Sequence, residues 1–147
     1  MKTPNGSPSW ARSQRVYASR VRVFLVRHAE AVPGEPDELR RLTTAGRDAA
    51  RALGERLAVE HPTAVVSSPL LRARETADLI AHACELDATA DDNLAPGATT
   101  DALRAATTDK GSIVIAVGHQ PDCSEIVFAL TGEDRPFAPG DVAELDL

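Results

Sequence analysis

Val21-Arg22-Val23-Phe24-Leu25-Val26-Arg27-His28-Ala29-Glu30 decides the fold class. Five of its first six residues are apolar, which fits a short strand buried on both faces, and the run stops at two cations and a carboxylate. In an open α/β sheet ligands bind in the crevice beyond the carboxyl ends of the strands, so chemistry is expected where this strand ends. An Arg-His pair at that point suits an anion. Polar residues must end any strand, so the pair gains weight only if other strand ends deliver matching residues.

Two further strands do so. Thr63-Ala64-Val65-Val66-Ser67 reads as a second strand, and Ser68-Pro69 as the cap and first position of a helix whose Leu70, Ala73, Ala77, Ile80, Ala81 and Cys84 face the sheet. Arg72 lies near the start of that helix, within reach of the crevice beyond Arg27 and His28. A helix N-terminus disfavours cations, so an arginine placed there calls for an anionic partner. Ser112-Ile113-Val114-Ile115-Ala116-Val117 is the third strand and a central one, and it ends in Gly118-His119-Gln120-Pro121.

The intervening segments fit helices on a sheet. Thr43 or Thr44 caps a helix with an apolar stripe of Ala49, Ala52, Leu53 and Leu57 that ends near Glu60. Residues 87–100 read as a polar surface crossover with Leu94 tucked in. Residues 101–108 form a short helix capped by Thr100, and Pro121 opens a helix that Gly132 closes. Val142-Ala143-Glu144-Leu145-Asp146-Leu147 alternates like an edge strand. The expected architecture is α/β: three layers, α/β/α, around a small, mostly parallel central sheet with an edge C-terminal strand.

Composition bounds what such a domain does. The 147 residues, 43% of them hydrophobic, suffice for one core, and the 3% aromatic content leaves that core to aliphatic residues packed helix on sheet. A net charge of -6 argues against nucleic acid and anionic membranes as partners, so attraction for an anion must be local. Cys84 and Cys123 have no metal-like or CxxC spacing. Cys84 reads as a small buried hydrophobe; Cys123, in a helical first turn, is open to a dipole-lowered pKa but has no base beside it. No run approaches the ~18 apolar residues of a membrane span. A secretory h-region of ~7–15 apolar residues is also missing, so a cytoplasmic location is expected. Residues 1–20, polar and turn-forming, read as a disordered or loosely attached tail, with Trp10 as an anchor in the alternative reading. Residues 21–147 form the domain.

The ordered set of motifs resembles the histidine phosphatases, the phosphoglycerate-mutase-like superfamily, and within it the small SixA-type phosphohistidine phosphatases. The matching stretches are Val26-Arg27-His28-Ala29-Glu30-Ala31, Arg40-Arg41-Leu42-Thr43-Thr44-Ala45-Gly46, Ser67-Ser68-Pro69-Leu70-Leu71-Arg72-Ala73-Arg74-Glu75-Thr76-Ala77 and Val117-Gly118-His119-Gln120-Pro121. The resemblance implies that His28 is a nucleophile that becomes phosphorylated, that Arg27 and Arg72 grip the phosphoryl oxygens, and that His119 adds a donor to them. It implies no cofactor and no metal. Ala29, where many relatives carry glycine, marks the SixA-like branch.

The resemblance also narrows the substrate. Larger members supply a general acid, commonly a glutamate in the crossover after the arginine-bearing helix; the aligned position here is Asn93, with Asp92 beside it as the possible replacement. An imidazole leaving group relaxes that need, and the short loops leave the site open. Both features favour a phosphorylated protein, a His-containing phosphotransfer domain, as partner, with inorganic phosphate as product. A small phosphorylated metabolite, with Asp92 or Asp37 as the acid, is the alternative substrate, and a non-catalytic phosphate-binding module is the third reading. Asp37 and Arg40 align with a charged pair before the Leu-Thr motif: they either border the pocket mouth as substrate contacts or form a surface ion pair worth under ~1 kcal/mol. Glu30 is expected to orient Arg27 or Arg72.

Overall fold

A computed structural model describes residues 20–147. The expected N-terminal tail, apart from Arg20, lies outside the described residues. Five strands, β1 (Arg22–Arg27), β2 (Ala64–Ser67), β3 (Ala88–Ala90), β4 (Ile113–Gly118) and β5 (Val142–Asp146), form one sheet in the order β3-β2-β4-β1-β5. Pairing is parallel except between β1 and β5, which run antiparallel.

The apolar runs dictate this order. In β1, Val23 and Leu25 face one side of the sheet and Phe24 and Val26 the other, and all four are buried. β4 divides in the same way, with Val114 and Ala116 opposite Ile115 and Val117. Strands that bury both faces belong in the middle of a helix-covered sheet, and β4 and β1 sit there. β5 alternates buried Ala143 and Leu145 with exposed Glu144 and Asp146, which fits the edge it occupies.

Four helices cover the two faces: α1 (Thr44–Ala58), α2 (Leu71–Ala83), α3 (Thr100–Thr107) and α4 (Asp122–Thr131). Leu53 and Leu57 of α1 and Ala73, Ala77 and Ile80 of α2 pack on Phe24, Val26, Val65, Ile115 and Val117. Leu103 and Ala106 of α3 and Ile126 and Val127 of α4 pack on Val23, Leu25, Val114 and Ala116. The result is the three-layer α/β/α arrangement. Among the described residues no helix is long and apolar enough to cross a membrane.

Several local expectations shift. The buried stripe of α1 is Gly46, Ala50, Leu53, Gly54 and Leu57; Ala49 and Ala52 are exposed. Thr43 caps the helix through its hydroxyl, which accepts from Gly46 N. Gly46 matters to the site, because a Cβ there would stand 2.2 Å from Glu30 O, so only glycine lets the first turn of α1 press against the loop after His28. α2 begins at Leu71 with Leu70 as its cap position, two residues past the Ser68 cap and the Pro69 first position suggested by Ser-Pro. Thr99, rather than Thr100, caps α3. The polar crossover contains β3, which pairs with β2 through main-chain hydrogen bonds and needs no apolar run of its own.

Candidate active site

His28 follows β1 directly, and its backbone N donates to Gly118 O at 3.0 Å, so the ends of β1 and β4 are tied where both histidines emerge. The His28 and His119 rings lie with centroids 5.3 Å apart, tilted by 59°. Both are buried, at 9% and 4% exposure, and Arg72 at 7% is buried with them. The expected gathering of His28, Arg72 and His119 at one end of the sheet is therefore the observed one, with Arg27 the last residue of β1.

His28 Nδ1 lies 2.8 Å from Ala29 O. A carbonyl only accepts, so Nδ1 carries the proton and Nε2 keeps its lone pair. Burial pushes the His28 pKa down to about 4; the Ala29 hydrogen bond opposes this, while the charges of Arg72, Arg27 and Arg40 add to it. At neutral pH the ring is thus an uncharged imidazole with one free nitrogen. His119 is also lowered to about 4, by burial first and then by His28 and Arg72, with Asp37 opposing and Arg27 adding a smaller push.

The guanidinium groups are held from the main chain. Arg27 donates through NH1 to Phe137 O at 2.8 Å. Arg72, in the first turn of α2, donates through NH1 to Asp37 O at 2.9 Å and through NH2 to Asp37 Oδ2 at 3.2 Å, which supplies the anionic partner that its position called for. Asp37 takes a second cation, Arg40, at 3.0 Å, and Arg40 Nε donates to Val32 O at 2.7 Å. The hydrogen bond from Arg40 and then the charge of Arg72 hold the Asp37 carboxyl below its ordinary range. Asp37 and Arg40 are thereby joined to Arg72, in the charged network at the site rather than in an isolated surface pair.

Among the described residues, three buried side-chain nitrogens have no hydrogen-bond partner: Arg27 Nε, Arg72 Nε and His119 Nδ1. A buried N–H without a partner costs ~1–3 kcal/mol. All three belong to the residues that sequence assigned to an anion, and an oxyanion bound among them would offset that cost.

Other residues fall elsewhere. The Glu30 carboxylate accepts from Thr43 Oγ1 at 2.7 Å, at the cap of α1, instead of orienting an arginine. Asp92 is exposed, in a 3-10 turn after β3. Cys123 is buried at 1% exposure, and burial, with the neighbouring Asp122 charge, raises its thiol to about 12, so desolvation overrides the helix dipole.

Sequence reasoning missed two contributors. Thr76 Oγ1 accepts from Ala29 N at 3.0 Å and donates to Arg72 O at 2.8 Å, so a fully buried hydroxyl locks the loop after His28 to the helix that carries Arg72. Ser68 Oγ lies 2.7 Å from His119 Nε2. Both residues fall within the Ser67-to-Ala77 motif; Ser68 reads there as a helix cap and Thr76 carries no local signal of its own.

The fold and the two-histidine, two-arginine site define a family: the chain belongs to the histidine phosphatase superfamily (branch 1), whose profile matches residues 23–96. It is similar to a structure from Agrobacterium tumefaciens described as "putative phosphohistidine phosphatase SixA", with 32% identity and a TM-score of 0.72 over 86% of this chain and 91% of that one. It is also similar to the protein histidine phosphatase SixA solved with tungstate, with 27% identity and a TM-score of 0.74 over 84% and 86% of the two chains. Among curated relatives, "Probable phosphoglycerate mutase GpmB" of Citrobacter koseri is 40% identical over 81 residues, which cover 50% of this chain and 37% of that protein.

Proposed function

We propose that this chain is a phosphatase that hydrolyses protein phosphohistidine through a phosphorylated His28. The observation that carries the proposal is an uncharged, buried His28 whose Nε2 is free, beside buried arginine and histidine nitrogens that lack partners. In the first step the Nε2 lone pair forms a bond to phosphorus while the P–N bond to the substrate imidazole breaks; that ring, protonated from solvent on its other nitrogen before reaction, leaves as neutral imidazole. In the second, a water oxygen bonds to phosphorus, the P–Nε2 bond breaks, and inorganic phosphate departs with His28 restored. Arg27, Arg72 and His119 hold the phosphoryl oxygens throughout, which is most of what phosphoryl transfer asks of a protein. Arg40 and Asp37 border the entry, with Arg40 set to meet the substrate once phosphate competes for Arg72.

A phosphohistidine substrate is favoured by the state of the two candidate acids. An alkoxide leaving group needs a protonated acid close by, whereas Asp92 is exposed in the turn after β3, and Arg40 and Arg72 hold the Asp37 carboxyl below its ordinary range, where it is a poor donor. A protonated imidazole leaves without one. The similarity to SixA structures over 86% and 84% of this chain points the same way, with a His-containing phosphotransfer protein as the fitting partner. The partial similarity to a mutase supports the second reading, a small phosphorylated metabolite.

The test is a substrate panel with chelator present: a phosphohistidine protein, a phosphoserine peptide and sugar phosphates, each offered to the wild type, His28→Ala and Asp92→Asn. We expect preference for the first, turnover lost in His28→Ala, and Asp92→Asn within about threefold of wild type, since an imidazole leaving group that is already protonated needs no carboxyl acid. Preference for a sugar phosphate with loss in Asp92→Asn would establish the second reading instead.

A further inference from the structure

We infer that Ser68 is a positioning residue that sets which nitrogen of His119 carries its proton. The inference rests on the reading of His119 as a donor to the phosphoryl group. Ser68 is fully buried where β2 gives way to α2, and its backbone N donates to Val117 O at 2.9 Å, so its hydroxyl is carried on the strand next to the one that ends at His119. Its Oγ accepts from Leu70 N at 3.2 Å and lies 2.7 Å from His119 Nε2.

The two nitrogens of an imidazole point to opposite sides of the ring. With Nε2 held by Ser68, Nδ1 is the nitrogen left for substrate, and it is buried without a partner. Two neutral tautomers are available. If Nε2 carried the proton, Ser68 Oγ would accept twice, from Leu70 N and from the ring, and Nδ1 would present a lone pair. A lone pair facing anionic oxygens repels them. If Ser68 donates its hydroxyl proton to Nε2, Nδ1 carries the hydrogen and becomes a donor. Only the second arrangement satisfies Ser68 and equips His119 for an oxyanion.

The buried cationic surroundings disfavour the third possibility, a doubly protonated ring. Burial acts first, and Arg72, Arg27 and any charge His28 acquires act with it against the opposing carboxylate of Asp37, so His119 has a lowered affinity for a second proton. The hydroxyl of Ser68 therefore selects between neutral forms.

Imidazole 15N shifts of the uniformly labelled, substrate-free protein at pH 7.5 test this, with the His119 signals assigned from the His119→Gln spectrum. The wild type is expected to show a protonated Nδ1 and an unprotonated, hydrogen-bonded Nε2. In Ser68→Ala the pattern should move toward protonated Nε2, the form free imidazole side chains prefer. Phosphohistidine kcat should fall about 10- to 100-fold with KM changed less than threefold, short of the ~10²–10³ for deleting an oxyanion donor outright. A wild-type spectrum with protonated Nε2 would overturn the inference without recourse to any variant. So would Ser68→Ala that keeps the Nδ1–H signature. The tautomer is read without substrate, so absence of phosphohistidine turnover would overturn the proposed activity and not this assignment.

Discussion

Acidification should destabilise the fold in a window set chiefly by the two site histidines. Both are held near pKa 4 in the folded chain against an ordinary value of 6.5. Between these values the unfolded chain binds more protons than the folded one, so stability is constant above about pH 6.5 and falls as pH drops from there toward 4. At pH 5 the shift taken at face value is worth ~2 kcal/mol per imidazole relative to pH 7.5. Discounted by about half for residual solvent screening, the pair contributes a loss of roughly 2 kcal/mol. Against a total of about 5–15 kcal/mol for a domain this is easily measured by urea denaturation at pH 7.5, 6 and 5. Asp37 and Glu144, whose carboxyls are held below their ordinary range, keep their contribution until pH falls lower still and so do not enter this window. The control is His28→Asn/His119→Asn, which removes both imidazoles and leaves the exposed His61 and His82 in place. The wild type should lose stability between pH 6.5 and 5 and the double variant should not. Equal slopes for the two proteins would refute the claim that the site holds its histidines neutral by burial.

Arg72→Lys should retain the fold but lower kcat/KM by about 10²-fold or more, because an ammonium cannot reproduce the planar fork that now spans Asp37 O and Oδ2; steady-state kinetics with thermal denaturation as a folding check decides it. Gly46→Ala forces a methyl group to within 2.2 Å of Glu30 O, so the first turn of α1 must withdraw from the loop after His28. A cost of ~1–3 kcal/mol is expected, with a lowered Tm and, unlike a remote packing defect, a raised KM for phosphate-bearing substrate.

Local chemistry made the central strands and the four site residues legible in sequence. Unbroken apolar runs such as Val23 to Val26 have nowhere to go but the middle of a covered sheet, and the residues that end them must lie at its carboxyl edge. The same reasoning placed Arg72 beside His28 and His119 and demanded a counter-charge for it. What sequence could not supply was the identity of partners far along the chain. Asp37 reaches Arg72 across 35 positions, and Ser68 reaches His119 across 51. Ser-Pro followed by an apolar helix is a strong local capping pattern, but a buried imidazole without a partner for Nε2 is the stronger claim on that hydroxyl. β3 was invisible for a related reason: Ala-Thr-Ala has no pattern of its own, and the unpaired main chain of β2 makes it a strand. Sequence by itself therefore determined which charged and titratable side chains gather at the carboxyl edge of the sheet, because hydrophobicity and charge are properties of the residues. Tertiary structure alone decided the hydrogen bonds that join distant segments at the site, because a bond such as that between Ser68 and His119 depends on a second residue that only the closed fold brings within 3 Å.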